Sequence, residues 1–227
     1  MNVKQEPGSP AREPRRRAGR PRSVVLDREL IAQAALKLVT TGGYASLTMS
    51  GVAKSLSVSP SALYNHVESK QELMQWIQEI VMDGVDSTVF ETLPLAEALM
   101  AWAVTYRDVL AGHAPLIPLI AVLPVSGSPH TLEMYEKVAA GFARAGWESA
   151  QIVPAIVAIE SFIFGSALDV TAPLDIFDPG PNAGKIPKFE SALAAQRASG
   201  QPSADAAFNT GLRAIVGGLV GSGDRRH

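Results

Sequence analysis

The sequence predicts an all-α protein: an N-terminal three-helix head joined by a long helix to a larger α-helical body. Three observations carry this. Apolar residues recur at spacings of three and four in almost every segment from Leu26 onward, the mark of amphipathic helices. No segment alternates with period two, so nothing supports a sheet. Glycines and prolines such as Gly42, Gly43, Pro94, Pro124, Pro129 and Gly146 fall between the periodic stretches, where helices stop.

In chain order, residues 1–22 are rich in Pro, Arg, Gly and Glu and are expected to be disordered. A first helix is predicted over 27–41, with Asp27 as N-cap and Leu30, Ala34, Leu38 and Val39 on one face. A short helix over 48–56 buries Val52, Ala53 and Leu56. Ser59-Pro60 opens the next, with Ser as cap and Pro at the first helical position, where its missing N–H costs nothing. Two short helices so tightly joined cross steeply, which is helix-turn-helix geometry. Ser69-Lys70-Gln71-Glu72 is a capping box that starts a helix running to about residue 89 through Leu73, Trp76, Ile77 and Ile80. Further helices are predicted near 95–111, 114–122, 129–145, 149–170, 188–198 and 203–220, with a loop at 171–187.

Composition narrows the function. The 227 residues contain no cysteine, which excludes a disulfide framework, a thiolate metal site and a cysteine nucleophile. His66, His113, His130 and His227 are scattered without metal spacing, and there is no nucleophile elbow, so neither an enzyme nor a metal or cofactor is expected. The arginines of 15–22 are not followed by an apolar core, and no uninterrupted apolar run is long enough for a bilayer; a cytoplasmic protein without a membrane partner is expected. The net charge of -2 divides unevenly: residues 1–70 carry +6 and residues 71–227 carry -8. A basic head on an acidic body suits a molecule that meets a polyanion at one end.

The run Leu47-Thr48-Met49-Ser50-Gly51-Val52-Ala53-Lys54-Ser55-Leu56-Ser57-Val58-Ser59-Pro60-Ser61-Ala62-Leu63-Tyr64-Asn65-His66-Val67, followed by Lys70 and Leu73, resembles the DNA-binding head of the tetracycline-repressor (TetR) family. The resemblance covers roughly residues 27–75. It departs at Ser57, where the family usually has glycine and a serine held at positive φ is strained. In a helix-turn-helix the second helix enters the major groove, which brings Pro60, Ser61 and Ala62 to base edges and makes Asn65 the side chain suited to adenine. The resemblance implies that Thr48, Tyr64, His66 and Lys70 hold phosphates, with Ser50 also in the DNA-facing set. Tyr64 has the alternative of packing on the first helix, and His66 of a structural role. The segment around Arg17, Gly19, Arg20, Pro21 and Arg22 resembles an AT-hook, an arm for the minor groove; the alternative is a tail adding non-specific affinity.

These readings divide the chain into a basic arm (1–22), a helix-turn-helix domain (23–70) and a ligand-binding and dimerisation domain (71–227). A short head buries little DNA, so a homodimer on a palindromic operator in double-stranded DNA is expected. The resemblance implies pairing through the last two long helices. Ile152, Ile156, Ile159, Ile163, Leu212, Ile215, Val216 and Leu219 offer themselves there, among Gly165, Ala167, Gly211, Gly217 and Gly218; the alternative for each is that it fills the protomer core. It also implies a small-molecule pocket in the body. Trp102, Tyr106, Met134, Tyr135, Phe142, Phe162 and Phe164 are candidate walls, so a largely apolar effector is expected; plain core is the alternative for each. Glu160 interrupts an apolar helix and either orients a polar or cationic ligand or pairs with Arg107 or Arg144. The resulting expectation is a repressor released by an effector. An activator or ligand-independent regulator of the same fold is the alternative, with a helical enzyme or structural adaptor as rival classes.

Overall fold

Helix α1 (Arg28–Gly42) begins where the Asp27 carboxylate accepts the Leu30 N–H at 2.8 Å, and it stops at Gly43, whose φ is 70°. The computed structural model describes residues 26–173 and 175–223. The buried face of α1 is Ile31, Ala32, Ala35, Leu36 and Val39. The predicted stripe through Leu30, Ala34 and Leu38 lies at its half-buried margin, because the small Ala32 and Ala35 face the helices that pack closest.

Helix α2 (Met49–Ser55) is capped by Thr48, and α3 (Pro60–Tyr64) by Ser59, whose hydroxyl accepts the Ala62 N–H at 3.2 Å. Leu63 and Val67 are fully buried against this head. The turn between α2 and α3 passes through Ser57 at φ 58°, the one non-glycine residue with positive φ among those described. Ser57→Gly is expected to raise stability by roughly 0.5 kcal/mol. The left-handed strain relieved, about 1–2 kcal/mol, exceeds the chain entropy that glycine adds to the unfolded state, about 0.5–1 kcal/mol. A thermal melt checks it, and an unchanged or lower midpoint refutes it.

Helix α4 (Lys70–Met82) starts with the predicted capping box: the Glu72 N–H donates to Ser69 Oγ, and the Glu72 carboxylate accepts the Glu68 N–H. It ends seven residues before the predicted position. The chain turns at Asp83-Gly84, where a Cβ on Gly84 would lie 2.9 Å from Val109, then buries Val85 and enters the short α5 (Val89–Thr92) so that Phe90 is inside. An uninterrupted helix could not fold both side chains inward.

The body continues with α6 (Leu95–Ala111), α7 (Ile117–Ile120), α8 (Pro129–Arg144), α9 (Ser149–Asp169), α10 (Pro187–Ala198) and α11 (Ser203–Gly223). The predicted helix at 114–122 is a 3-10 turn followed by one α-turn, in which Pro115 and Pro118 remove two N–H donors. Helices α6, α8, α9 and α11 pack around one another, and α4 packs against α1 from one side and α8 from the other. One apolar core therefore runs from the head into the body. No strand occurs among the described residues.

By length and composition α9 could cross a membrane, with a mean hydropathy of 1.7 in its most apolar stretch. Its inner face, Ile152, Ala155, Ile156, Ile159, Glu160, Ile163 and Ala167, is buried within this chain. Ile152, Ile156, Ile159, Ile163, Leu212 and Val216 are thus protomer core, not a surface for another copy, because α9 is enclosed by α6, α8 and α11. Among the residues that α9 leaves outward are Val153, Val157, Ser161, Gly165 and Leu168, and α11 leaves Ala207, Thr210, Ala214, Gly217 and Gly218 outward beside Asn209 and Arg213. Val153 is 65% exposed and Val157 52%.

Candidate DNA interface and buried body cluster

Most of the predicted DNA-facing residues of the head are exposed. Thr48 caps α2 with its hydroxyl accepting the Gly51 N–H at 2.9 Å, and Ser50 follows it, exposed. Pro60 and Ser61 are exposed on the first turn of α3, Ala62 is half-buried, and Ser61 Oγ lies 2.9 Å from Ser59 Oγ. Tyr64 is 52% exposed, which leaves half of its side chain open to a partner. Asn65, the C-cap of α3, and His66 are also exposed. Lys70 Nζ sits 4.0 Å from the centre of the Tyr44 ring. That ring gives an N-terminal lysine an attractive partner and fixes its ammonium beside the head surface. Sequence reasoning missed Tyr44, which no local motif connects to Lys70. Arg17, Arg20 and Arg22, and the arm as a whole, lie outside the described residues.

In the body the candidate pocket residues separate into groups. Trp102 and Tyr106, one turn apart on α6, have ring centres 5.5 Å apart, and Phe164 of α9 meets Tyr106 edge-on at 5.9 Å. Glu160 of α9, 7% exposed, accepts hydrogen bonds on Oε1 from the hydroxyls of Tyr106 at 3.2 Å and Tyr135 at 2.8 Å. Burial pushes the Glu160 carboxyl above the usual carboxylate range, against the opposing pull of the two hydroxyls that donate to it. Burial, and next the Glu160 charge, raise both tyrosines as well. Trp102 Nε1 is buried without a hydrogen-bond partner.

Three candidates fall elsewhere. Phe142 packs on Trp147 at 4.9 Å. Phe162 stacks on Phe208 and faces Gly211, where an added Cβ would come within 2.6 Å of its ring. Met134 lines a separate cleft of roughly 340 Å³ beside Asp83, Asp86, His130 and Lys137. The arginines considered for Glu160 have other partners: Arg107 pairs with Asp205 of α11 at 2.5 Å and lies over Phe208, and Arg144 donates to the Phe90 carbonyl.

Body and head meet at a polar joint that the sequence did not disclose. Gln75 Nε2 donates to the Pro124 carbonyl at 3.2 Å. Gln78, buried, receives the Ser128 hydroxyl at 3.3 Å and reaches Thr131 at 3.5 Å. The Glu79 carboxylate accepts the His130 N–H at the start of α8, where the helix dipole favours a negative charge. Gly127 leaves room for this: a Cβ there would fall 2.3 Å from Gln75 Oε1. Tyr135, one turn further along α8, is the residue that holds Glu160.

Comparison with known proteins agrees with this architecture. Residues 31–77 match the family described as "Bacterial regulatory proteins, tetR family", and residues 94–221 match "Tetracyclin repressor-like, C-terminal domain". An HTH-type transcriptional regulator of Saccharopolyspora erythraea is 28% identical over 142 residues, which span 63% of this chain and only 60% of that regulator. The class A tetracycline repressor protein from transposon 1721 in Escherichia coli is 27% identical over 204 residues, 84% of this chain and 88% of the repressor. Among solved structures, Streptomyces coelicolor ActR in complex with actinorhodin superimposes with a TM-score of 0.70 at 20% identity, covering 87% of this chain and 97% of ActR.

Proposed function

The chain belongs to the TetR family of bacterial regulatory proteins, and on that footing we propose that it is a DNA-binding transcriptional repressor released from its operator by a small molecule held in the body. The observation that carries this is the head: a Ser-capped α3 that leaves Pro60, Ser61, Tyr64 and Asn65 exposed, with Thr48 and His66 exposed and Lys70 half exposed on the neighbouring turns. The first turn of α3 reads bases, and Thr48, Ser50, Tyr64, His66 and Lys70 contact phosphates, which set register and not sequence.

The protein acts as a homodimer. The outward apolar and small residues of α9 and α11 form the subunit face, where glycines and alanines let helices approach closely. Two heads then meet half-sites one helical turn apart, about 34–36 Å. The effector is held at the cluster of Trp102, Tyr106, Tyr135, Glu160 and Phe164, whose largely aromatic side chains set its general character. Its binding shifts α8, and the joint with α4 transmits this to the head; a differential affinity of a few kcal/mol between the two conformations suffices.

Selection of genomic fragments by the full-length protein, followed by footprinting, tests the reading. The expected result is a palindromic site with half-sites about one helical turn apart. Failure to retain any genomic fragment overturns it. The arm makes a second test. Deleting residues 1–22 removes seven arginines and lysines, and is expected to lower both affinity and the dependence of log K on log salt, by about 0.9 for each phosphate no longer neutralised. An unchanged slope means that the arm takes no part in binding.

A further inference from the structure

We propose that the effector is a lipophilic cation, an aromatic compound bearing a protonated amine whose charge sits against Glu160. This deepens the reading of the Glu160 cluster as the effector site and rests on it.

Glu160 is a buried carboxyl without a counter-charge. Among the described residues it makes no ion pair, and the two arginines considered as its partners are committed, Arg107 to Asp205 and Arg144 to the Phe90 carbonyl. Its two hydrogen bonds both fall on Oε1. Oε2 is left for a ligand. Burying an ionised carboxylate unpaired is costly, and a cation brought by the ligand removes that cost where a neutral ligand does not. The same carboxylate repels acidic compounds.

The surroundings select the rest of the molecule. Tyr106, Tyr135, Phe164 and Trp102 supply aromatic rings, whose faces attract a positive charge and whose bulk favours a flat apolar frame. Trp102 Nε1 is a second, independent feature. It is a donor with no partner, one helical turn from Tyr106, about 6 Å along the axis. An ether or carbonyl oxygen of the ligand satisfies it, and an unmet buried donor is otherwise unfavourable.

The titratable groups that face Glu160 are Tyr106 from α6 and Tyr135 from α8; Asp205 of α11 is held by Arg107. A cation on Glu160 therefore competes with a proton on the same carboxyl.

The test is calorimetry on the full-length dimer with two probes of matched shape, naphthyloxyethylamine and its neutral counterpart naphthyloxyethanol. The amine is expected to bind at least about tenfold more tightly. In Glu160→Gln, which removes the charge but keeps the shape, the two are expected to bind within about twofold of each other. Independently of that variant, amine binding to the unaltered protein is expected to release protons at pH values above the usual carboxylate range, where burial keeps part of Glu160 protonated, while alcohol binding releases none. Equal binding of the two probes, a preference that survives Glu160→Gln, or no amine-specific proton release overturns the cationic assignment. In those cases binding of the alcohol with loss of operator affinity leaves the Glu160 cluster standing as the effector site. If neither probe binds, that assignment falls with the proposal.

Discussion

Replacing Tyr64 and Lys70 together by alanine is expected to weaken operator binding by at least about 10³-fold while leaving the fold intact. Each hydrogen bond to a charged phosphate contributes about 1.5–3 kcal/mol, and the double change removes two such bonds from each of two heads. Neither residue belongs to the core: Tyr64 is 52% exposed, and Lys70 touches the head through the Tyr44 ring. The weakening should be shared by all sequences, since phosphate contacts carry no base information. Removing two lysines per dimer should also reduce the salt slope by about 1.8. Fluorescence anisotropy on the selected operator and on unrelated DNA at several salt concentrations measures both. A weakening confined to the operator would assign these residues to base reading, and unchanged binding would remove them from the interface.

Val157→Lys is expected to convert the dimer into monomers and to reduce operator affinity by about 10²–10⁴-fold, the gain that linking two binding modules ordinarily supplies. Val157 lies at the middle of the outward stripe of α9 between Val153 and Ser161, and two-fold symmetry gives each interface two copies of any change. A lysine there must bury its charge against an apolar neighbour without a partner. Inside the protomer the same residue packs on nothing essential, being half exposed. Monomers that retain the wild-type helical content and melt cooperatively, seen by sedimentation velocity and circular dichroism, are the expected outcome. A dimer that persists would place the subunit face elsewhere.

Helix positions were legible in the sequence wherever a cap and a periodic stripe coincide. Asp27, Ser59 and Ser69 mark helix starts that the structure reproduces within a residue, because the capping bond is local. The end of α4 was not legible, since only its tertiary contact with Val109 explains the turn at Gly84. The rotation of α1 was missed for a related reason. Alanine scores as weakly apolar, yet Ala32 and Ala35 are buried because they permit close approach.

The site divides along the same line. Residues of α2, α3 and the start of α4 form a contiguous motif, so their exposure could be foreseen. Tyr44 beside Lys70, and the two tyrosines on Glu160, join residues 25 or more positions apart and on different elements, and no spacing rule reaches them. The isoleucines of α9 show the converse error. Periodicity marks a buried face correctly but does not say whether a neighbouring helix or a second copy covers it.

The joint between α4 and α8 has a consequence for tuning. It is made of neutral amides, hydroxyls and one carboxylate, interactions that contribute about 1 kcal/mol each because water competes for the same groups. Under the proposed mechanism, a substitution at Gln75 or Gln78 is therefore expected to alter the resting ratio of the two head positions by a few-fold, without touching a base, a phosphate or the effector. The dose at which the regulator responds can drift in small steps while what it recognises at either end stays the same.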